Sequence, residues 1–337
     1  MRHRRVAALI GIAVALGASA QAEARRPVAI PVTIEGGQGT AIGAHPMVRV
    51  RVGRSKPVPL LIDTGSTGLR IFAPAVDTSA GAGVTVTPQP NTITYAGGHR
   101  YTGVVAKAVI KIGRQATATE VPFSLVRRAS CAPAKPRCPA AGGIADLIAH
   151  GDYGVLGVGT SAGGAVINPL LEMPGRLGRT WSLHLNGQAG TLLLGTAVPR
   201  GRTVAAKLQL RSQGSVGPLK LWADRRAPVC LALGFAHACV PGLFDSGTFQ
   251  LQVWGDPLDT VATRPGTTQV LPGTPVAASV NGAAAPFWSF RAGTTKSKDT
   301  VTVHQGQPFV NFGVQAFYAF RITYDVRDGT LTLSRRR

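Results

Sequence analysis

Two short segments in different halves of the chain constrain it most: "LLIDTGS" at residues 60–66 and "GLFDSGT" at 242–248. Each runs apolar residues straight into an aspartate and a tight hydroxyl-glycine-hydroxyl turn. A carboxylate at the end of a buried strand is costly unless donors surround it. One such copy reads as an Asp-initiated turn whose side chain accepts backbone N–H bonds. The second copy changes the reading, because each is followed much later by a similar apolar run ending in glycine: "YGVLGVG" (153–159) and "FVNFGVQAF" (309–317). This is a doubling of long period, unlike the 20–50-residue repeats of a solenoid. It predicts two homologous lobes, residues 27–195 and 196–337, joined near "LLLGTAVPRG".

The remaining sequence predicts strands: short runs of Val, Thr, Ile and Leu punctuated by Gly, Pro, Asn and Asp, such as "MVRVRVG", "GVVAKAVIKIG", "TLLLGT" and "FRITYDVRDGTLTLS". In the last, Asp328-Gly329 reads as a two-residue hairpin turn. Helical periodicity is confined to "INPLLEM" (167–173) and "VQAFYAF" (314–320). With 42 glycines and 24 prolines, many turns in an all-β chain fit better than repeated βαβ units.

In this order and spacing the chain resembles the pepsin-like (A1-type) aspartic peptidases, as an exported bacterial relative, over nearly all of its length. "TITYAGGHRYTGVVAKAVIKIG" (92–113) looks like the family's flap hairpin, with Tyr95 as the flap tyrosine and Gly97 and Gly98 at the tip. "YGVLGVG" with "NPLLEMPGRLGRTWSLHL", "CLALGFAHACVPGLFDSGT" and "FGVQAFYAFRITYDVRDGTLTLS" are similar to three further family segments. The resemblance implies an all-β, bilobal fold with two pseudo-symmetric, barrel-like lobes and few short helices. It implies an endopeptidase in which Asp63 and Asp245 share one proton and activate a water. In pepsin itself two carboxyl groups share a proton in this way. By the same resemblance Ser66 and Thr248 donate to the outer carboxylate oxygens, and Thr64 and Ser246 bond across the pseudo-dyad. Gly65 and Gly247 let the backbone turn beside the carboxylates. Cofactor and metal are not called for.

The chain departs from the family pattern at three places. Arg70 stands where a tryptophan usually bonds the flap tyrosine, Ala96 where a glycine is usual, and Asn311-Phe312-Gly313, followed by Val314, where two apolar residues, Gly and often Asp occur. A pepsin fold that binds a peptide or envelope ligand without cutting it is therefore the alternative function. "GTSAG" (159–163) offers a further one, a serine esterase with Ser161, Asp224 and His304, although that motif needs a strand-elbow-helix in an α/β setting. Gly157-x-Gly159 lacks the third glycine of a dinucleotide loop.

The first 22 residues have the basic start, short apolar stretch and small residues of a cleaved signal peptide, the apolar run being shorter than the ~20 residues of a membrane span. Export to the periplasm or medium follows as an expectation. Little sequence lies between this leader and the first strands, so a family-type pro-segment is not expected. Four cysteines fall as two local pairs, Cys131 with Cys138 and Cys230 with Cys239. Disulfides suit export, and the intervals are too long for the usual Cys-x2-4-Cys zinc pattern. The formal charge of +21 reads first as a solvated, arginine-rich surface and secondly as a surface for anionic envelope polymers, while a peptide or protein substrate is what the resemblance implies. Its scattered basic residues and scarce aromatics argue against specific nucleic-acid binding. A monomer is expected.

Overall fold

The computed structural model describes residues 26–35, 45–293 and 299–335; the expected leader, residues 1–22, lies outside them. Its strands form two main sheets, so the chain is all-β and bilobal. The larger sheet runs, in spatial order, through Val204–Gln209, Thr330–Ser334, Arg321–Asp325, Thr180–Asn186, Ala189–Leu194, Val28–Glu35, His45–Val52, Val58–Asp63, Gly154–Val158, Thr67–Phe72, Val121–Cys131, His99–Ala108 and Val84–Thr94. Strands from the end of the chain thus continue the sheet built by its beginning. The smaller sheet orders Trp288–Arg291, Pro275–Val280, Ala227–Leu233, Ala236–Leu243, Phe309–Asn311, Leu251–Trp254 and Val301–His304.

One arrangement occurs in both sheets and positions everything that follows. The strand that ends in Asp63 pairs in parallel with Gly154–Val158, and that strand pairs on its other side, antiparallel, with Thr67–Phe72. The chain therefore enters the turn on one side of an inserted strand and leaves on the other. In the second half Ala236–Leu243 and Leu251–Trp254 flank Phe309–Asn311 in the same way. Strands sandwiched like this are buried on both faces and read as continuous apolar runs. Leu60, Ile62, Leu156, Val158, Leu251, Val253 and Val310 all have no accessible surface. At about 1.5–3 kcal/mol for each such side chain, this apolar framework holds the intervening turns in place.

Beneath the second turn lies an aromatic cluster in which Phe244 stacks on Phe312 at 4.6 Å and Phe287 and Phe320 pack alongside. Beneath the junction of the halves, Trp181 stacks on Tyr324 at 5.7 Å.

Two local expectations are corrected, and one helix is added to them. The segment 167–173 is no α-helix: Pro169–Glu172 forms one 3-10 turn, capped by Asn168 Oδ1, which accepts from Leu170 N at 2.9 Å. Pro169 and Pro174 bracket it and remove the N–H groups a longer helix needs. The final hairpin pairs Asp325 with Thr330, so four residues, not two, make its loop. Asp325 Oδ1 accepts from the N–H groups of Arg327 and Asp328 and stabilises that wider turn. A helix at Gly143–Ala149 (α1) was not anticipated, since seven residues give too little periodicity to read. The helix expected near 314–320 is present as Gln315–Ala319 (α2).

Candidate active site

Asp63 ends its strand and Asp245 follows the end of its own, and the two turns face one another. The carboxyl groups converge on one place, a Cβ position at Gly247 lying within 3.3 Å of an oxygen of each, which two chain segments so far apart in sequence achieve because nothing but hydrogen intervenes at the glycines. A methyl group on Gly65 would overlap the Asp245 carboxyl, and one on Gly247 would sit 2.8 Å from Asp63 Oδ1. Glycine is needed at both positions for close approach of backbone to carboxylate.

Each aspartate is held by its own turn. Gly65 N donates to Asp63 Oδ1 at 2.7 Å and Ser66 Oγ donates to Asp63 Oδ2 at 2.5 Å. Gly247 N donates to Asp245 Oδ1 at 2.8 Å and Thr248 Oγ1 to Asp245 Oδ2 at 2.7 Å. Between the turns, Thr64 N donates to Ser246 Oγ at 3.1 Å and Ser246 N to Thr64 Oγ1 at 2.9 Å. The same hydroxyls donate onward, Thr64 Oγ1 to Phe244 O at 2.7 Å and Ser246 Oγ to Ile62 O at 2.6 Å. Thr64 and Ser246 are almost fully buried, where each such bond is costly to leave unmade. The four bonds fix the distance between the carboxyl groups.

The symmetry stops at Asn311. Its Nδ2 donates to Asp245 Oδ2 at 2.8 Å and approaches Thr248 Oγ1 at 3.2 Å, while its Oδ1 accepts from Gly313 N at 3.0 Å. Asn311 pairs with Gln252 across the sheet as Val155 pairs with Arg70 in the first half, so Val155 is its counterpart and gives Asp63 no such donor. Burial pushes Asp63 up to about 7, helped by the charge of Asp245 and opposed by the Ser66 and Gly65 bonds. Asp63 therefore holds its proton toward neutrality, and Asp245 has three donors where Asp63 has two.

Tyr95 opens the four-residue loop of the hairpin Val84–Thr94 and His99–Ala108, closed by Tyr95 N to His99 O and Gly98 N to Tyr95 O bonds, both 2.9 Å. Gly98 has φ +95°, which glycine alone adopts readily. Gly97 and Gly98 bring the tip against the loop closed by the Cys131–Cys138 disulfide. There Ala132 N donates to Gly98 O at 2.8 Å and Lys135 Nζ to Ala96 O at 2.6 Å. The tyrosine hydroxyl is buried beside Ser66 and Arg70. The second disulfide, Cys230–Cys239, crosslinks directly paired strands. His237 lies close to both sulfurs, but with the sulfurs bonded to each other no thiolate is left to ligate a metal.

Ser161, Asp224 and His304 do not form a relay. Ser161 Oγ and Thr160 N and Oγ1 all donate to the buried Asp224 carboxylate. His304 instead stacks on Trp254 at 5.1 Å and contacts Thr302 Oγ1. Among the described residues no helix follows residue 161 directly, so the elbow required for a serine nucleophile is not built.

Sequence reading treated Asn311 only as a departure from an apolar pattern. The signal was there, a lone amide in a slot flanked by Val310 and Phe312, but its target is set by the strand crossing. A family model described as "PE-PGRS C-terminal aspartyl peptidase-like domain" matches residues 28–324, and no curated protein matches the chain.

Proposed function

The chain belongs to the PE-PGRS C-terminal aspartyl peptidase-like domain family, and on that premise we propose that it is an exported aspartic endopeptidase. The observation that carries this reading is the convergence of two buried carboxyl groups, each held by its own glycine N–H and hydroxyl, across a reciprocal Thr64–Ser246 bond pair. Such a pair binds one proton too tightly and one too loosely for independent acids. In the proposed reaction Asp245 is the ionised partner and general base. It takes a proton from a water as that water attacks a peptide carbonyl, while protonated Asp63 donates to the developing oxyanion. The proton from water ends on Asp245 and is passed to the leaving amine, while Asp63 takes back a proton from one hydroxyl of the tetrahedral diol as the C–N bond breaks and the product carboxylic acid forms, which restores the starting state without a covalent intermediate. Tyr95 and its hairpin cover the bound peptide and limit the entry of bulk water.

Two disulfides fit an oxidising compartment. Among the described residues no helix is long and apolar enough to cross a membrane. The test is digestion of an unfolded protein by the chain lacking its first 22 residues, from pH 3 to 7, beside Asp63→Asn and Asp245→Asn. Both variants are expected to lose at least about 1,000-fold in kcat, as for other groups acting as a unit. Cleavage that survives either change rejects the mechanism, and saturable peptide binding without turnover replaces it with a binding protein.

A further inference from the structure

We propose that Arg70 is the positioning residue for Tyr95, its buried guanidinium seating the tyrosine ring above the candidate dyad. This rests on the peptidase reading for its consequence in catalysis, though not for its geometry.

Arg70 occupies the middle of Thr67–Phe72, a strand in which every residue is buried. It is itself only 4% exposed. A buried arginine normally meets a carboxylate, because an unpaired charge away from water is expensive. No carboxylate lies within ion-pair distance of this one among the described residues. The side chain instead folds back along its own strand. Nη1 donates to Thr67 O at 2.9 Å and to Gly68 O at 3.0 Å, and Nε has no partner. Its other neighbour is Tyr95: Cζ lies 6.0 Å from the ring centroid, the outer range at which an arginine is attracted by an aromatic face.

The placement joins four groups in a row. The Tyr95 hydroxyl is buried next to both Ser66 and Arg70 but completes a hydrogen bond of good geometry with neither. Ser66 Oγ is already committed to Asp63 Oδ2. Arg70 Nε and the Tyr95 hydroxyl are therefore a donor and an acceptor that are both buried and both open, on side chains whose guanidinium lies over the ring at 6.0 Å. A shift of the tyrosine side chain that brings its hydroxyl to Nε satisfies both, so the guanidinium sets where Tyr95 rests when the hairpin covers a peptide. The opposite end of the loop is secured independently by Ala132 and Lys135. Arg70 thus governs the ring and not the tip.

The experiment uses the full mature chain and two readouts, amide hydrogen exchange over residues 91–103 and kcat with KM on an unfolded protein substrate. Arg70→Lys keeps charge and stem but loses the planar fork, and Tyr95→Phe removes the hydroxyl from the other side. Each is expected to speed exchange in 91–103 while leaving 204–209 and 321–334 unchanged. Each is expected to lower kcat about tenfold, the loss of one hydrogen bond to a charged group, with KM nearly constant. The double variant is expected to be no worse than the poorer single one. Unchanged exchange in 91–103, or losses that add, overturns the proposal. If Arg70→Lys loosens the whole chain, Tyr95→Phe decides alone, since local loosening of 91–103 is then required. A wild-type chain without Asp63-dependent cleavage defeats the peptidase reading, and the exchange data still judge Arg70.

Discussion

The two halves of the site use one local plan and finish it differently. Around both aspartates a glycine N–H and a hydroxyl three residues on hold the carboxylate, and a second hydroxyl reaches across to the other half. Beyond that, the first half supplies Val155 and a guanidinium that turns away toward Tyr95, whereas the second supplies an amide aimed at Asp245. The difference teaches how a nearly symmetric frame distinguishes two chemically identical acids. Shared elements set the spacing, and one extra donor in one half makes the surroundings of the two carboxylates unequal.

The most severe way to disturb that frame is at the glycines. A Cβ on Gly65 meets all three atoms of the Asp245 carboxyl group, while one on Gly247 meets chiefly the Asp63 carboxyl edge at 2.8 Å. Gly65→Ala is expected to cost about 100-fold or more in kcat by displacing a reacting group, and Gly247→Ala less. A steady-state comparison of the two checks this, and a larger loss for Gly247→Ala would show that the halves are spaced from the other side.

The bonds between the halves come next. Thr64→Val strips the buried Ser246 N of its acceptor and removes one of the two donors of Phe244 O, which keeps the Tyr324 hydroxyl at 3.2 Å, at a cost of about 1–3 kcal/mol in urea unfolding. Ser246→Ala exposes Thr64 N and Ile62 O to the same loss. Exchanging the two residues, Thr64→Ser with Ser246→Thr, should restore most of the stability, because either hydroxyl can occupy either place. Failure of the exchanged chain to recover would mean that the methyl of Thr64, not the reciprocal bonding, carries the difference.

Asn311→Val makes the second half resemble the first. Asp245 then keeps two donors instead of three. The expected result in steady-state kinetics is a kcat lower by about tenfold, for one charge-assisted bond. An unchanged kcat would remove Asn311 from the account of how the acids are told apart.

How much of this was readable beforehand depends on what each residue needs from its neighbours. The turns around Asp63 and Asp245 are local: two apolar residues, an acid and a small hydroxyl-glycine-hydroxyl run contain all the partners of the carboxylate except one, so they are legible in a line of text. The Thr64–Ser246 bonds follow once the doubling is seen. Asn311 lies far along the chain from its target and reaches it only because Phe309–Asn311 is inserted between the strands on either side of the turn. Arg70 was legible by its place, where a tryptophan usually bonds the flap tyrosine, but the burial of every residue of Thr67–Phe72, which puts its charge inside the protein, was not. The sheet continued by Arg321–Asp325 and Thr330–Ser334 is a matter of long-range pairing, which apolar alternation does not encode.

The gentlest comparison is thermodynamic. Because the folded chain holds the Asp63 proton up to about pH 7 while an unfolded aspartate releases it near 3.8, the native state binds more protons between those values. Stability is then greatest below the unfolded value and falls as pH rises through the folded one, by at most about 1.4 kcal/mol per pH unit. Asp152, raised to about 6 by burial, slopes the same way, while His45 and His99, lowered by burial, slope oppositely. Differences between variants measured at each pH cancel these contributions. Asp63→Asn should flatten the slope most. Asp245→Asn should flatten it less, since burial is the larger cause of the Asp63 shift and persists when the neighbouring charge is removed. Equal flattening by the two variants would make mutual repulsion the dominant cause, and the two halves would then be energetically alike in spite of Asn311.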